Sequence, residues 1–412
     1  MRYIKLALLF IMTGLLSVQL VTAHAMEETT GHLPQSVISN FAQNAATTRN
    51  FSWFTSDDPS QPNLIEYCTK STFKGFDKDN ILKVTANDSD IETEVGARIL
   101  HKVELSGLTP DTGYVYRVGN DTDGYSAQGI FKTTGLASNK FTFIDITDTQ
   151  GTTAADYNAW RRTLDKALAK YPNASFTMLT GDLVDSGQSI RQWDMFANAA
   201  RQELLNMPLV PVVGNHDAEN FIGKASGVEN FTERFDLPQI TDTGAADGTV
   251  YSFDCENAHI AVMNTECGKN QLQQQADWLC SDMTKSNKLW KIVALHRGPY
   301  GGMHDSSDIR RAWGPVFDKL GIDLVLQGHD HNYIRSFPMK NGMKVKNGKG
   351  TLYLVANTGG VKFYPTFARS WQAVDLQPHK QMYLAVTLNN RKLSVVAYDV
   401  SNHLWDAVTL SK

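Results

Sequence analysis

The run Leu209-Val-Pro-Val-Val213-Gly214-Asn215-His216-Asp217 indicates the fold of most of this 412-residue chain. Five apolar residues, enough for one short buried strand, are followed directly by a glycine and three polar side chains. In α/β sheets, ligands gather in the loops that follow the carboxyl ends of the strands. The run therefore predicts an α/β domain with a polar site at one edge of its sheet.

Four other apolar runs have the same character, and each also leads into a polar loop. The five predicted strands are residues 141–146, 175–179, 209–213, 290–295 and 322–326. The loops after them are Asp148-Thr-Gln150, Gly181-Asp182, Gly214-Asn215-His216-Asp217, His296-Arg297 and Gly328-His329-Asp330-His331. Apolar residues at helical spacing predict helices within 157–171 and 272–283. We expect the five loops to converge, although they are far apart in the sequence.

The residue types in these loops suit one task. Carboxylate, amide oxygen and imidazole groups fit zinc, iron or manganese better than calcium or copper(I), and no thiol is involved. An aspartate such as Asp182 can bridge two ions, and ions about 3.5–4 Å apart can share a hydroxide and hold a phosphate. Singly, an Asp after a strand is more often a turn former, and a surface His is more often only a satisfied polar residue. Five such loops together predict a dinuclear metal site.

Residues 33–134 have a different pattern, with short alternating segments and no helical period. The clearest element is Leu105-Ser-Gly-Leu108-Thr-Pro110-Asp-Thr-Gly-Tyr114-Val-Tyr116-Arg-Val118, a turn and a strand that resemble a fibronectin type III domain. Its tyrosines are interpreted as core residues rather than as a binding surface. We predict a fibronectin-III-like β-sandwich at 26–135 and an α/β domain of two sheets flanked by helices at 141–412. Strands within 382–398 should pair and complete a second sheet.

The N-terminus has the pattern of a cleaved signal peptide at residues 1–25. Arg2 and Lys5 precede an apolar run from Leu6 to Leu16, and Ala23-His24-Ala25 provides small residues for cleavage. The run is shorter than the roughly 20 residues that a membrane span needs. We therefore expect a secreted or periplasmic protein without stable membrane insertion. Removal of the signal peptide would leave 37 basic and 43 acidic residues. This net negative charge argues against a nucleic-acid partner.

The four cysteines lack the close pairing of a zinc knuckle. They are Cys68, Cys255, Cys267 and Cys280. Disulfides are compatible with an oxidising compartment. Cys267 and Cys280 lie near opposite ends of a predicted helix and should be too far apart to pair, whereas the other pairings stay open.

The ordered loops resemble the calcineurin-like metallophosphoesterase superfamily, whose pattern is Asp-x-His, Gly-Asp, Gly-Asn-His-Asp/Glu, His and Gly-His-x-His. The resemblance spans residues 141–337 and implies two divalent or trivalent ions of iron, zinc or manganese. One ion would be held by Asp148, Gln150, Asp182 and His331. The other would be held by Asp182, Asn215, His296 and His329. His216 would stabilise the transition state or protonate the leaving oxygen, and Asp217 would orient His216.

The predicted sandwich ahead of this region makes the chain similar to purple acid phosphatases, with two departures. Gln150 replaces the usual His of the first motif, which keeps an oxygen ligand but changes its strength. Asp185 stands three residues after Asp182, where the purple enzymes have a tyrosine ligand, so a purple ferric enzyme is not expected. We interpret Asp185 as a carboxylate behind the ligands or a solvated loop acid, with direct ligation as the alternative.

The loop His296-Arg-Gly-Pro-Tyr300-Gly-Gly-Met-His304 offers two further candidates for substrate binding. Arg297 and His304 are the predicted contacts to a phosphate. The alternative is that Arg297 pairs with a surface acid and that His304 is merely exposed.

These features predict an acid-phosphatase-like enzyme that hydrolyses phosphate monoesters of small molecules by in-line attack of a metal-bound hydroxide. The alternative is a phosphodiesterase or nucleotide hydrolase that uses the same site, because loops such as 219–246 set the substrate. A non-catalytic adhesion or ligand-binding protein would have a damaged site. Only Gln150 departs from the motif pattern, which favours the enzyme.

Overall fold

The computed structural model describes residues 32–56, 59–136 and 140–412. The predicted signal peptide lies outside the described residues. Within the described part of the chain, no helix combines the length and apolarity that a membrane span requires. The four cysteines all fall inside it, and each is a free thiol.

The N-terminal region is built from β-strands, a short 3-10 helix (Lys70–Thr72) and connecting loops. Its strands are β1 (Gln35–Asn40), β2 (Arg49–Thr55), β3 (Leu64–Thr69), β4 (Leu82–Thr85), β5 (Asn87–Thr93), β6 (Gly96–Leu105), β7 (Gly113–Asn120), β8 (Gly124–Tyr125) and β9 (Gly129–Lys132). One layer has the order β4-β3-β7-β8 with β9 paired to β7, and the other has the order β1-β2-β6-β5. Trp53, Tyr114, Tyr116 and Phe131 are buried between them, so both tyrosines belong to the core, as predicted.

The rest of the chain alternates strands and helices. The strands are β10 (Lys140–Ile146), β11 (Thr177–Leu179), β12 (Leu209–Pro211), β13 (Tyr251–Cys255), β14 (Ala258–Val262), β15 (Trp290–Arg297), β16 (Leu324–Gly328), β17 (Tyr333–Ser336), β18 (Met339–Lys340), β19 (Met343–Lys344), β20 (Leu352–Ala356), β21 (Gln372–Leu376), β22 (Met382–Asn389), β23 (Lys392–Asp399) and β24 (Leu404–Ser411). The helices are α1 (Ala154–Lys170), α2 (Ile190–Ala199), α3 (Arg201–Leu204), α4 (Glu229–Arg234), α5 (Lys269–Lys285) and α6 (Ser307–Leu320). The predicted helices are α1 and α5, and α1 begins with a capping box between Thr153 and Asp156.

Two large sheets carry the strands of the predicted site. The first has the order β24-β23-β22-β10-β11-β12-β1-β2-β6-β5, and the second has the order β13-β14-β15-β16-β20-β17-β21. β10, β11 and β12 run parallel to one another, as do β14, β15, β16 and β20. The carboxyl ends of the strands in each parallel set therefore share one edge, and the predicted loops follow these ends.

The two sheets pack face to face through apolar side chains. Phe143 stacks on Phe176 with ring centroids 4.7 Å apart, and Phe176 and Phe41 contact Phe253 of the second sheet at 5.7 and 5.1 Å. Burying a side chain of this size contributes roughly 1.5–3 kcal/mol. Alternation along the second sheet sends Ile260, Ile292 and Leu324 into this interface, whereas Ala261, Val293 and Val325 pack in the cluster that holds α5 and α6.

Two features of the sheets were not anticipated. β22 and β23 pair as predicted, but they extend the first sheet beside β10 rather than complete a second one. β1 lies parallel to β12, where the Asn40 side chain donates to the Leu209 carbonyl at 3.0 Å. The β-rich N-terminal region thus shares a sheet with the α/β domain that follows it. The predicted fold class, a β-rich domain followed by an α/β domain, is confirmed.

Candidate metal centre

The predicted ligands come from the carboxyl ends of strands in both sheets. Asp148, Gln150, Asp182 and Asn215 follow β10, β11 and β12, whereas His296, His329 and His331 lie at the ends of β15 and β16. Asp148, Asp182, His329 and His331 have positive φ angles of 53°, 54°, 77° and 47°. Residues other than glycine rarely adopt a positive φ angle, and those that do are often found at functional sites.

The geometry brings the predicted ligands together around Asp182. Asp182, His296 and His329 form one group whose ligand atoms all lie within 4.8 Å of one another, and Asp148, Asp182 and His331 form a second. His296 Nε2 lies 3.2 Å from Asp182 Oδ2 and 3.2 Å from Asn215 Oδ1. His331 Nε2 lies 3.0 Å from Asp148 Oδ1. Asp182 is the one residue common to both groups.

Backbone carbonyls orient two of the imidazole rings. Nδ1 of His296 donates to the Thr180 carbonyl at 2.8 Å, and Nδ1 of His331 donates to the Lys362 carbonyl at 3.2 Å. A carbonyl oxygen accepts only, so each Nδ1 carries its proton and Nε2 is left to face the carboxylates. Metal-ligating histidines are commonly fixed in this way.

Gln150 brings an unsatisfied oxygen to the same place. Its Nε2 lies 3.3 Å from Asp182 Oδ2, and its Oε1 is buried without a hydrogen-bond partner among the described residues. A buried polar atom without a partner costs about 1–3 kcal/mol. A metal ion would supply the missing partner, so the residues present fit a metal centre.

Burial and neighbouring charges strongly shift the pKa values of three residues in this cluster. Burial would raise the pKa of Asp182, but the charge and hydrogen bond of His296, together with the charges of His216 and His329, outweigh burial and hold that pKa well below its ordinary value. Burial likewise lowers the pKa of His296, and the Asp182 carboxylate more than compensates and raises it to about 10. Burial, and then the His296 charge, lower the pKa of His329 to about 3. A buried cluster in which some pKa values are raised and others are lowered is typical of functional sites.

Glycines in the motifs allow the loops to approach one another. A Cβ at Gly181, whose φ is +97°, would collide with the His296 ring. A Cβ at Gly214 would collide with the Asp182 backbone and carboxylate. The glycines that precede Asp182 and Asn215 are therefore required by packing at the centre.

His216 and Asp217 are both at the centre, but they do not bond to each other as predicted. The His216 backbone N–H donates to Asp182 Oδ1 at 2.9 Å, and its Nδ1 donates to the Asp185 carbonyl at 2.8 Å. Asp217 is fully buried and accepts from the backbone N–H groups of Leu183, Val184 and Gly214 at 2.8, 3.2 and 2.9 Å. The Asp185 carbonyl thus orients His216, because the Asp217 carboxylate is occupied in joining two loops.

The two residues predicted to contact substrate lie in different surroundings. Arg297 Nε donates to Glu266 Oε1 at 3.0 Å, and its Nη2 donates to the Thr265 carbonyl. Arg297 therefore pairs with an acid, which was the alternative to its predicted contact with phosphate. The His304 ring lies 4.3 Å from the His329 ring, and its Nδ1 lies 3.2 Å from Asp330 Oδ1. His304 therefore borders the centre directly.

The segment after β20 contributes residues that the sequence did not single out. Tyr364 stacks on His331 with ring centroids 4.3 Å apart. Lys362 forms an ion pair with Asp185, and Asp185 belongs to neither group of ligand atoms. The side chain that stands in place of a tyrosine ligand is thus held by a lysine. Residues 361–371 match no motif and have no periodic pattern, so no sequence signal marked them.

Two family models match this chain. The model for calcineurin-like phosphoesterases matches residues 141–333. The model for the N-terminal domain of purple acid phosphatases matches residues 34–133. The two matches correspond to the β-rich region and to the part of the α/β domain that carries all of the predicted ligands.

Individual relatives are distant in sequence but extensive in coverage. Purple acid phosphatase 21 of Arabidopsis thaliana is 25% identical over 320 residues, which cover 74% of this chain and 68% of the relative. Acid phosphatase type 7 of Homo sapiens is 26% identical over 320 residues, which cover 68% of this chain and 69% of the relative. The solved structure of purple acid phosphatase PPD1 from yellow lupin superposes with a TM-score of 0.78 at 17% identity, and it covers 92% of this chain and 74% of that chain.

Proposed function

Because residues 141–333 match the model for calcineurin-like phosphoesterases and residues 34–133 match the model for the N-terminal domain of purple acid phosphatases, we propose that this chain is a phosphoesterase of that family and that it hydrolyses phosphate monoesters at a dinuclear metal centre. The observation that carries this proposal is the position of Asp182. Its carboxylate belongs to both groups of ligand atoms, and a carboxylate has two oxygens, enough to bind one ion on each side.

The proposed ligands divide into two sets that share Asp182. One ion would be held by Asp148, Gln150, Asp182 and His331. The other would be held by Asp182, Asn215, His296 and His329. When bound, a pair of Fe, Zn or Mn ions lowers the pKa of water and offsets the charge that develops on the phosphoryl oxygens.

The protein residues around this pair have roles of their own in the proposed reaction. His216 is held by its backbone N–H on Asp182 and by its Nδ1 on the Asp185 carbonyl, which leaves Nε2 as the atom that gives a proton to the leaving oxygen. His304, beside His329, is proposed to contact the phosphate. Asp217 acts on His216 indirectly, because it fixes the loops that carry Asp182 and Asn215.

We further propose that the protein is secreted or periplasmic, on the signal-peptide pattern of residues 1–25. Its substrate would be a phosphorylated small molecule. Asp185, held by Lys362, supports the expectation that the bound metal gives no purple ferric–phenolate centre.

The test is hydrolysis of an aryl phosphate monoester and of the matching diester by the metal-stripped protein. Zinc, manganese, iron and cobalt are added back in turn. We expect turnover of the monoester with at least one metal, and a loss of at least 100-fold in Asp182→Asn and His296→Ala. Asp247→Asn, at an exposed site, is the matched control and should keep full activity.

Three other results of this test would change the proposal. Preference for the diester would replace the monoesterase by a phosphodiesterase on the same site. Two bound ions without turnover of any ester would favour the non-catalytic binding protein. Full activity in Asp182→Asn would exclude Asp182 as the shared ligand.

A further inference from the structure

Several large apolar side chains are exposed on segments that lie next to the candidate metal ligands in the sequence or contact them. Among the residues that the structure describes, eleven large apolar side chains are exposed, and five of these lie on three segments that contact the centre. We call these five the apolar rim: Phe221, Ile222, Met303, Val361 and Phe367. Single exposed apolar residues are ordinary, but several of them on segments attached to one site favour a role for those segments in binding.

The first segment is a tight turn that follows His216. The Asn220 N–H donates to the Lys224 carbonyl at 2.9 Å, and the Asn220 side chain accepts from the backbone N–H groups of Ile222 and Lys224 at 3.1 and 3.2 Å. The turn is therefore well defined by hydrogen bonds, yet Phe221 and Ile222 at its tip are 70% and 72% exposed. Nothing within the described chain buries these two side chains.

The second segment is fastened between two candidate ligands. Asp330 stands between His329 and His331, and its carboxylate accepts from the N–H groups of Gly302 and His304 at 2.7 and 2.8 Å. Met303 lies between these two residues and is exposed. The loop that displays Met303 is thus positioned by the same short motif that supplies two metal ligands.

The third segment contacts both His331 and the second segment. The Lys362 carbonyl holds the His331 ring, and exposed Val361 directly precedes it. Farther along, Arg369 Nε donates to the Gly302 carbonyl at 2.8 Å, and its guanidinium lies 4.5 Å from the Phe367 ring. Phe367 and Met303 therefore lie on segments joined by Arg369.

From this arrangement we infer that the site selects phosphate esters whose organic group is apolar, such as alkyl or aryl phosphates. The inference rests on the proposed function, in which the phosphate is held at the metal centre. Each rim segment includes or closely follows a residue that is hydrogen-bonded to a candidate ligand or its neighbour. In this inference, the group esterified to the phosphate extends over the rim. An apolar group there removes rim and substrate surface from water, whereas a sugar or other polar group gains no such contact.

The test measures kcat/KM of the metal-loaded full chain for ethyl, butyl, hexyl and octyl phosphate. Each ester is used at concentrations at which it does not form micelles. These alcohols are similar leaving groups, so the series reports contact with the organic group. We expect kcat/KM to rise about twofold per methylene, since a half-buried methylene gains about half of the free energy of a fully buried one. Phe221→Ser combined with Ile222→Ser should flatten the series.

A matched control removes exposed apolar residues elsewhere. Leu82→Ser combined with Met343→Ser changes two exposed side chains on β4 and β19, outside the three segments, and should keep both the activity and the chain-length dependence. Hydrolysis of every ester at one rate by the wild type would overturn the apolar rim as a specificity element and leave the proposed function intact. Release of no phosphate from any ester would instead overturn the proposed function.

Two other occupants of the rim would give different results. Binding of the wild type to phosphatidylcholine vesicles, lost in Phe221→Ser/Ile222→Ser and accompanied by a flat alkyl series, would overturn the inference in favour of membrane docking. Concentration-dependent self-association that is lost in the same variant, again with a flat series, would overturn it in favour of a second copy of the chain.

Discussion

The Asp217 carboxylate accepts a hydrogen bond from the Leu183 backbone N–H at 2.8 Å and so joins the loop after β11 to the loop after β12. The other carboxylate oxygen accepts from Gly214 at 2.9 Å. Burial raises the pKa of Asp217, and the neighbouring Asp182 charge raises it further, to about 7, although the backbone donors act in the opposite direction. This buried acid therefore aligns two ligand loops.

Asp217→Asn should weaken both stability and catalysis. The amide keeps one acceptor oxygen, but its NH2 group would face a backbone N–H, which leaves a buried donor unsatisfied. We expect a loss of about 1–3 kcal/mol in the free energy of unfolding and about a 10–100-fold loss in kcat/KM. Urea unfolding and ester hydrolysis measure the two effects, with the exposed Asp247→Asn as the control. Unchanged values in both measurements would show that Asp217 does not brace the loops.

Gln150→Leu should weaken one metal ion selectively. The substitution keeps the size of the side chain and removes the orphaned Oε1. We expect the affinity for one of the two ions to fall at least 10-fold, with the other ion little affected, as measured by metal titration of the stripped protein. Gln150→His should restore or strengthen that affinity for zinc, because imidazole is a favourable zinc ligand. Equal affinity for both ions in Gln150→Leu and the wild type would exclude Gln150 as a ligand.

The α/β region should not fold stably without the N-terminal strands. Residues 140–412 alone would expose the edge of β12 that pairs with β1 and would lose Phe41 from the contact with Phe253. They would also lose the Arg98 partner of Asp194, at 2.7 Å. An exposed edge strand promotes aggregation. We expect poor solubility and no cooperative thermal transition for 140–412, in contrast to residues 26–412. A soluble, cooperatively folded and active 140–412 fragment would contradict this expectation.

His259 should make stability depend on pH outside the metal centre. Its two ring nitrogens lie 2.7 Å from Asp254 and 2.7 Å from Asp282. Burial lowers the pKa of His259, but hydrogen bonds to these carboxylates outweigh it and raise the pKa to about 9. A raised pKa in the folded state means that His259 contributes stability below its unfolded value, about 6.5, and loses that contribution as the pH rises through about 9.

Comparison of the wild type with His259→Gln measures this contribution. We expect the variant to be about 1–2 kcal/mol less stable at pH 6, discounted because Asp254 is half exposed, and nearly equal to the wild type at pH 10. Urea unfolding at the two pH values gives both numbers. His403→Gln, at an exposed position, should show no such pH-dependent difference. A difference that is the same at pH 6 and pH 10 would contradict an ionic role for His259.

Most of the parallel strands could be predicted because buried strands are short apolar runs that end in recognisable loops. The motif residues Asp148, Asp182, Asn215, His296, His329 and His331 converge in the structure because they lie at the carboxyl ends of parallel strands in two sheets that pack face to face. The packing role of Gly181 and Gly214, where the loops approach too closely for a Cβ, was seen only in the structure.

Contacts made by irregular segments and by the backbone could not be predicted. The Asp185 carbonyl that orients His216 and the Lys362 carbonyl that orients His331 carry no side-chain signal. The pairing of β1 with β12 joins strands 169 residues apart, and nothing in either strand specifies that neighbour. The turn with Phe221 and Ile222 at its tip lies in the loop where specificity was expected, but exposure of those side chains depends on packing that composition does not reveal.

The most direct measurement is phosphate release by the metal-stripped protein while metal ion is added in steps below and above two equivalents per chain. If Asp182 bridges two ions, hydrolysis of an aryl phosphate rises until two equivalents are bound and then stays level, and Asp182→Asn gives no comparable rise. A plateau at one equivalent, or equal hydrolysis by the stripped protein, would contradict a dinuclear centre.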